Sequence, residues 1–168
     1  VILEKAKDRN LKREAIEQIA IGAIKYSIVK QSIGSDIIFD IEKSISFEGD
    51  SGPYLQYSLV RAQSVVQKSK SEKIKASFKK VPAEIGLLEK MIIRFPEIVE
   101  KAGQNYEPHM ITIYLTELAH EFNNYYARNK IVDKEDKFSS YRVALTQAFS
   151  VVMKNGLWLL GILAPEKM

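Results

Sequence analysis

A chain of 168 residues, 46% hydrophobic and 27% charged, is long enough and apolar enough to bury a core, which excludes an intrinsically disordered segment. Its 25 Lys and Arg against 21 Asp and Glu leave a formal net charge of +4, which permits a polyanionic partner without demanding one. With no cysteine, disulfides and thiolate metal sites are excluded, and a reducing compartment, the cytoplasm, is expected. No apolar run approaches the ~18 residues that cross a membrane. The start, Val1-Ile2-Leu3-Glu4-Lys5, brings charge too early for a signal peptide. It also lacks an initiator Met, so the chain reads as a piece of a longer one.

Residues 1–10 and 12–31 read as helices, the second with a stripe of Ala15, Ile19, Ala23, Tyr26 and Val29. Gly34 breaks the pattern. Ile37, Phe39 and Ile41 then alternate with Ile38, Asp40 and Glu42, which predicts a short extended piece or strand. From Ser46 to Pro53 the residues are those of a turn. Asp50 or Ser51 can cap the helix that follows, and Pro53 suits its first position.

Winding residues 54–68 as a helix puts Leu55, Leu59, Ala62 and Val66 on one side. Tyr54, Tyr57, Arg61, Ser64 and Lys68 fall on the other. A row of phenols and cations can stack on bases and pair with phosphates. The same spacing also fits a plain amphipathic helix whose tyrosines are half-buried and whose cations are only solvated.

Residues 67–80 carry six lysines and few apolar residues, a loop or frayed helix end more suited to solvent than to a specific contact. A helix over 82–95 opens at Pro82 and presents Ile85, Leu88, Met91, Ile92 and Phe95. Pro96 ends it or starts the next, which runs over 97–103 to Gly103. Residues 108–129 form a long helix with Ile111, Leu115, Leu118, Phe122 and Tyr125 on its core face. Tyr126 lies at its end beside Arg128 and Lys130, a plausible base-stacking platform or an ordinary interface tyrosine. The last helix covers 138–160, with Tyr141, Leu145, Phe149 and Val152 aligned and Asn155-Gly156 as a cap or bend.

Several of these stretches are similar to one family. Phe47-Glu48-Gly49-Asp50-Ser51-Gly52-Pro53-Tyr54-Leu55-Gln56-Tyr57, with Arg61 four residues on, resembles the F-x-G-D-[ST]-G-P-Y-L-Q-Y-x-x-x-R segment of arginyl-tRNA synthetases. Leu118-Ala119-His120-Glu121-Phe122-Asn123-Asn124-Tyr125-Tyr126 resembles that family's L-A-x-x-F-x-x-F-Y helix. Arg142, Leu145, Ala148, Val152, Gly156-Leu157 and Leu160-Gly161-Ile162 resemble the frame of its DALR domain. The four residues that name the domain are here Gln147-Ala148-Phe149-Ser150, so only the alanine survives. The ending Pro165-Glu166-Lys167-Met168 is close to the family's P-E-R-M. Residues 20–26 and Phe39-Asp40 are similar to the family's stretch that follows the lysine-rich signature loop of the catalytic domain and buttresses the inner corner of the tRNA.

The resemblance implies an all-α, DALR-type anticodon-binding bundle over 51–168, preceded over 1–50 by the end of a catalytic domain. It implies that the chain binds the anticodon stem-loop of arginine tRNA, works as a monomer and packs against its own catalytic domain. The residues it marks for contact are Tyr57, Arg61, Tyr126 and Met168, with Tyr54 and Lys130 behind them; Tyr125 is read as core. ATP with magnesium belongs to the parent enzyme and no cofactor to this segment, because the H-I-G-H and K-M-S-K-S signatures are missing. Alternatives are a structural or protein-interaction bundle, or the helical domain of another class I synthetase such as the cysteine enzyme. The G-D-S-G-P-Y-L-Q-Y stretch argues against the last.

Other chemistry fails on its own terms. Gly49-Asp50-Ser51-Gly52-Pro53 invites comparison with the nucleophile motif of chymotrypsin-like proteases, but that fold is a pair of β-barrels with its histidine upstream of the serine, whereas this chain reads as helical and both His109 and His120 lie downstream. His120-Glu121 has no second histidine four residues after the first, and two histidines without cysteine make a structural zinc site untenable. No phosphate-binding glycine loop is present.

Overall fold

Residues 11–37 and 39–168 are described by the structure, a computed structural model. The helix expected over 1–10 lies outside the described residues. The elements are α1 (Arg13–Val29), α2 (Ile41–Ser44), α3 (Gly52–Ser71), α4 (Leu87–Ile93), α5 (Phe95–Asn105), α6 (His109–Arg128) and α7 (Ser139–Leu159). Among the described residues there is no strand, as the all-α expectation requires.

The architecture is built on α3, which packs against α1, α6 and α7. Its start is set locally. The Ser51 hydroxyl accepts from the Tyr54 amide at 3.1 Å and donates to the Ser46 carbonyl, while Gly49 takes a positive φ of 81° to turn the chain. Replacing Ser51 by alanine is expected to cost about 1 kcal/mol in urea unfolding. The exposed Asp50→Ala should change stability by less than about 0.5 kcal/mol by the same measurement.

The core gathers Leu55, Leu59 and Ala62 of α3, Leu115, Leu118 and Phe122 of α6, and Phe149, Met153 and Leu157 of α7. Phe122 and Phe149 stack with centroids 3.9 Å apart and planes 11° from parallel. Each such side chain contributes roughly 1.5–3 kcal/mol by leaving water. Phe149 stands within the degenerate DALR stretch, and it is fully buried. Leu88 of α4 and Ala102 of α5 belong to the same cluster.

At two places glycine decides how closely helices approach. A Cβ on Gly52 would lie 2.3 Å from the Gly22 carbonyl oxygen, so α1 and α3 touch backbone to backbone. A Cβ on Gly156 would lie 2.5 Å from a Leu115 methyl, where α7 crosses α6.

Five local expectations are corrected. Ile41–Ser44 is a helical turn and no strand, because the Asp40 carboxylate caps it by accepting from the Lys43 amide at 3.1 Å. The lysine-rich stretch starts as helix, since α3 runs on to Ser71 with Ser69 buried; Lys73 then takes a positive φ of 59°. The helix expected from Pro82 begins five residues later at Leu87, with Gly86 as its N-cap, and Ile85 is exposed. Gly103 lies inside α5, which Tyr106 ends in the left-handed region at φ 59°. Asn155-Gly156 does not cap α7, which runs on to Leu159; the stop comes at Gly161, φ 66°. Pro96, by contrast, sits in the first turn of α5, where its missing N–H costs nothing.

Burial also marks how the fold fails in alkali. Tyr26 and Tyr125 are pushed up to about 12, chiefly because burial disfavours the phenolate; the same cause raises Tyr114 and Tyr141. A folded-state value above the unfolded one favours folding fully below the unfolded value near 10 and ceases to do so as pH climbs through the folded one. Stability is therefore expected to fall between pH 10 and pH 12. Part of the tyrosine absorbance change at 295 nm should coincide with loss of far-UV circular dichroism. Titration of all eight tyrosines with the helices intact would contradict this.

Candidate nucleic-acid interface

Tyr57 and Arg61 lie one helical turn apart on α3, and Tyr126 lies on the last turn of α6. Because α3 and α6 pack side by side, the three meet. The Arg61 guanidinium carbon is 4.5 Å from the Tyr57 ring centre and 5.1 Å from that of Tyr126. One guanidinium nitrogen donates to the Tyr57 hydroxyl at 2.8 Å and another to the Asn123 side-chain carbonyl. Two of the five N–H bonds are thus used, and the others are left to offer. Arg61 and Tyr57 are half-buried, while Tyr126 is 41% exposed.

Tyr57, Arg61 and Asn123 border an open hollow of about 370 Å³, lined also by Phe47, Glu48, Gly49, Tyr54 and His120. Phe47 meets Tyr57 edge-on at 6.3 Å. His120 lies against Tyr54 at 5.0 Å between ring centres. The hollow offers aromatic faces and hydrogen-bond donors with a fixed cation at its rim. Such a combination suits an unstacked base and its phosphate.

The six residues marked by the sequence divide. Tyr57, Arg61 and Tyr126 come together as described. Tyr54 corrects the outward placement expected for it: only 7% exposed, it belongs to the core and lines the hollow from below the surface. The reason is that α3 has neighbours on three sides, so Gln56, Ser58 and Val60 are buried along with the leucine stripe. Lys130 is exposed and ion-paired with Asp133 at 3.1 Å, away from the lining of the hollow. Met168 is half-buried at the end of the tail. The preceding residues Ala164 to Lys167 line a second, more polar groove with Ser64 and Lys70 of α3 and Lys154 of α7. Tyr125 packs between the two apolar clusters, as expected of a core residue.

Sequence reasoning passed over Asn123, His120 and Gln56. Asn123 is a poor helix former in mid-helix, three residues before Tyr126 and next to fully buried Phe122, and that conflict was its visible signal. Gln56 is fully buried and donates to the Gln18 carbonyl at 3.0 Å and the Leu163 carbonyl at 2.6 Å, tying the tail to α1 through α3.

A match to the DALR anticodon binding domain family spans residues 55–168. The chain belongs to that family. Its type is that of the arginyl-tRNA synthetases, as the motifs around Tyr57 and Tyr126 implied. It is 38% identical over 162 residues to an arginine–tRNA ligase of Pyrococcus abyssi, covering 94% of this chain and 26% of that protein. With the corresponding enzyme of Lactococcus lactis subsp. cremoris it shares 39% identity over 168 residues, 97% of this chain and 29% of that one. The Thermus thermophilus arginyl-tRNA synthetase superposes with a TM-score of 0.80 at 30% identity, over 99% of this chain and 32% of that chain. The arginyl-tRNA synthetase of Plasmodium falciparum, at 24% identity and a TM-score of 0.77, shares the fold. The chain thus spans less than a third of the length of these relatives. Among the described residues no helix is long and apolar enough to cross a membrane, and no group of three His, Asp or Glu is placed to hold a metal.

Proposed function

We propose that this DALR domain binds the anticodon stem and loop of arginine tRNA and holds the tRNA for charging by a catalytic domain of the same enzyme. The observation that carries the reading is the Arg61 guanidinium held against two tyrosine rings at the rim of a donor-lined hollow. Loop bases rest on Tyr57 and Tyr126, while the free N–H groups of Arg61 pair with phosphate oxygen. Tyr54 contributes through its hydroxyl; Lys130 and Met168 are outer contacts on either side. Catalysis by such a domain is positioning: a rigid body fixed on the anticodon arm sets the acceptor end in a distant site.

We assign residues 51–168 to this domain and 1–50 to the end of the catalytic domain, with the enzyme monomeric and cytoplasmic. The exposed Ile21, Ile24 and Ile28 on α1 support a body resting there. ATP and magnesium would serve the whole enzyme. The described residues do not fit them, with neither synthetase signature nor a carboxylate cluster, and nothing here is routed through them.

Titration with arginine tRNA at several salt concentrations tests the reading. Affinity should fall with salt by about 0.7 in log–log slope for each loop phosphate neutralised. Absence of tRNA binding would leave the structural bundle as the better account.

A further inference from the structure

Behind Arg61 lies a chain of hydrogen bonds that runs in one direction only. The Asn123 amide nitrogen donates to the Ser58 hydroxyl at 2.9 Å and to the Tyr54 hydroxyl at 3.0 Å, while its carbonyl oxygen accepts from Arg61. Three neighbours force this orientation. Ser58 spends its only proton on the Tyr54 carbonyl at 2.9 Å, so it must accept from Asn123. Tyr54 pairs with the His120 Nδ1 at 3.1 Å; with the ring proton on Nε2, which faces the Asp50 carboxylate, Nδ1 accepts from Tyr54, so Tyr54 accepts from Asn123. Arg61 has only donors. With the amide turned over, its NH₂ would oppose the guanidinium and two acceptors would lose their proton. The far end of the chain is anchored by His120 Nε2, which faces the Asp50 carboxylate at 3.5 Å.

We propose that Asn123 is a positioning residue for tRNA recognition. Its carbonyl, oriented by Ser58 and by Tyr54 with His120 behind it, fixes the plane of the Arg61 guanidinium so that the unused N–H groups point at the bound RNA. This rests on the reading of Arg61 as an RNA contact. Tyr57 alone would leave the guanidinium free to pivot about a single hydrogen bond, and the added entropy loss would fall on binding. It also gives buried Tyr54 a part in recognition that needs no exposure of its ring.

A double-mutant cycle on the full chain, titrated with a synthetic anticodon stem-loop of arginine tRNA, tests it. Asn123→Ala should weaken binding about tenfold in the parent and by less than about twofold in an Arg61→Ala background. The same loss in both backgrounds, or no loss in the parent, overturns the coupling. If Arg61→Ala itself leaves affinity unchanged, the tRNA reading falls and the coupling with it. Should Asn123→Ala fail to fold, the near-isosteric Asn123→Asp decides. Its carboxylate still accepts from Arg61 but cancels the charge, so the log–log salt slope should drop by about 0.7, one phosphate contact. An unchanged slope in a folded Asn123→Asp overturns the proposal.

Discussion

Arg61→Ala is expected to weaken arginine-tRNA binding by about ten- to a hundredfold with little change in thermal stability. The magnitude follows from what the guanidinium supplies. A hydrogen bond to a charged group contributes about 1.5–3 kcal/mol, and every 1.4 kcal/mol is a factor of about ten in affinity. The fold loses little because Arg61 is only half-buried and its partners, Asn123 and Tyr57, line the open hollow, where water can take the place of the guanidinium. Its removal should cost within about 1 kcal/mol of stability. Arg61→Lys is the informative companion. An ammonium keeps the charge but cannot bond Asn123 and Tyr57 together while facing the ligand, so affinity should fall between parent and alanine. Titration at fixed salt, with a melting curve for each variant, gives both readouts. Unchanged affinity in a folded Arg61→Ala would show that the cation is structural.

Gly52→Ala is expected to produce the largest loss of stability among single methyl additions, about 3 kcal/mol or more. The added carbon would sit 2.3 Å from the Gly22 carbonyl oxygen and 2.6 Å from its carbon, and both belong to the backbone of α1. No rotamer relieves that contact; α1 would have to move away from α3, breaking the bond that Gln56 makes to the Gln18 carbonyl. For a chain of this size the melting temperature should fall by roughly 6–12 °C, read by far-UV circular dichroism. Gly103→Ala supplies the opposite sign. It lies inside α5 with nothing within 4 Å of the added carbon, so it should stabilise by up to about 1 kcal/mol. Gly156→Ala should fall between parent and Gly52→Ala, since it meets the Leu115 side chain, both methyls within 2.8 Å, and no neighbouring backbone. Equal melting of Gly52→Ala and the parent would mean that the α1–α3 approach is looser than described.

Periodicity was a good guide where a helix has one dry side. The stripes of α1 and α6 were legible because Ile19, Ala23 and Tyr26, and Leu115, Leu118 and Phe122, recur at helical spacing and are buried. It was a poor guide at ends. Pro82 signals a helix start as well as any residue, yet the helix waits for Leu87, the first residue whose turn can place Leu88 in the core. Tyr106 takes a left-handed conformation that only Gly or Asn would have advertised.

On its own, the sequence determined the helical class, the family and two-thirds of the Tyr57–Arg61–Tyr126 trio, since Tyr57 and Arg61 need only the geometry of one helix to stand together. Tertiary structure decided the rest. The packing of α6 beside α3 brings Tyr126 and Asn123 to Arg61, and the third neighbour around α3 turns Tyr54 from an exposed ring into a buried one. The physical reason is that a helical repeat orders residues within about five ångströms along one axis, whereas burial and cross-helix hydrogen bonds depend on how many neighbours that axis has and how closely glycine lets them come.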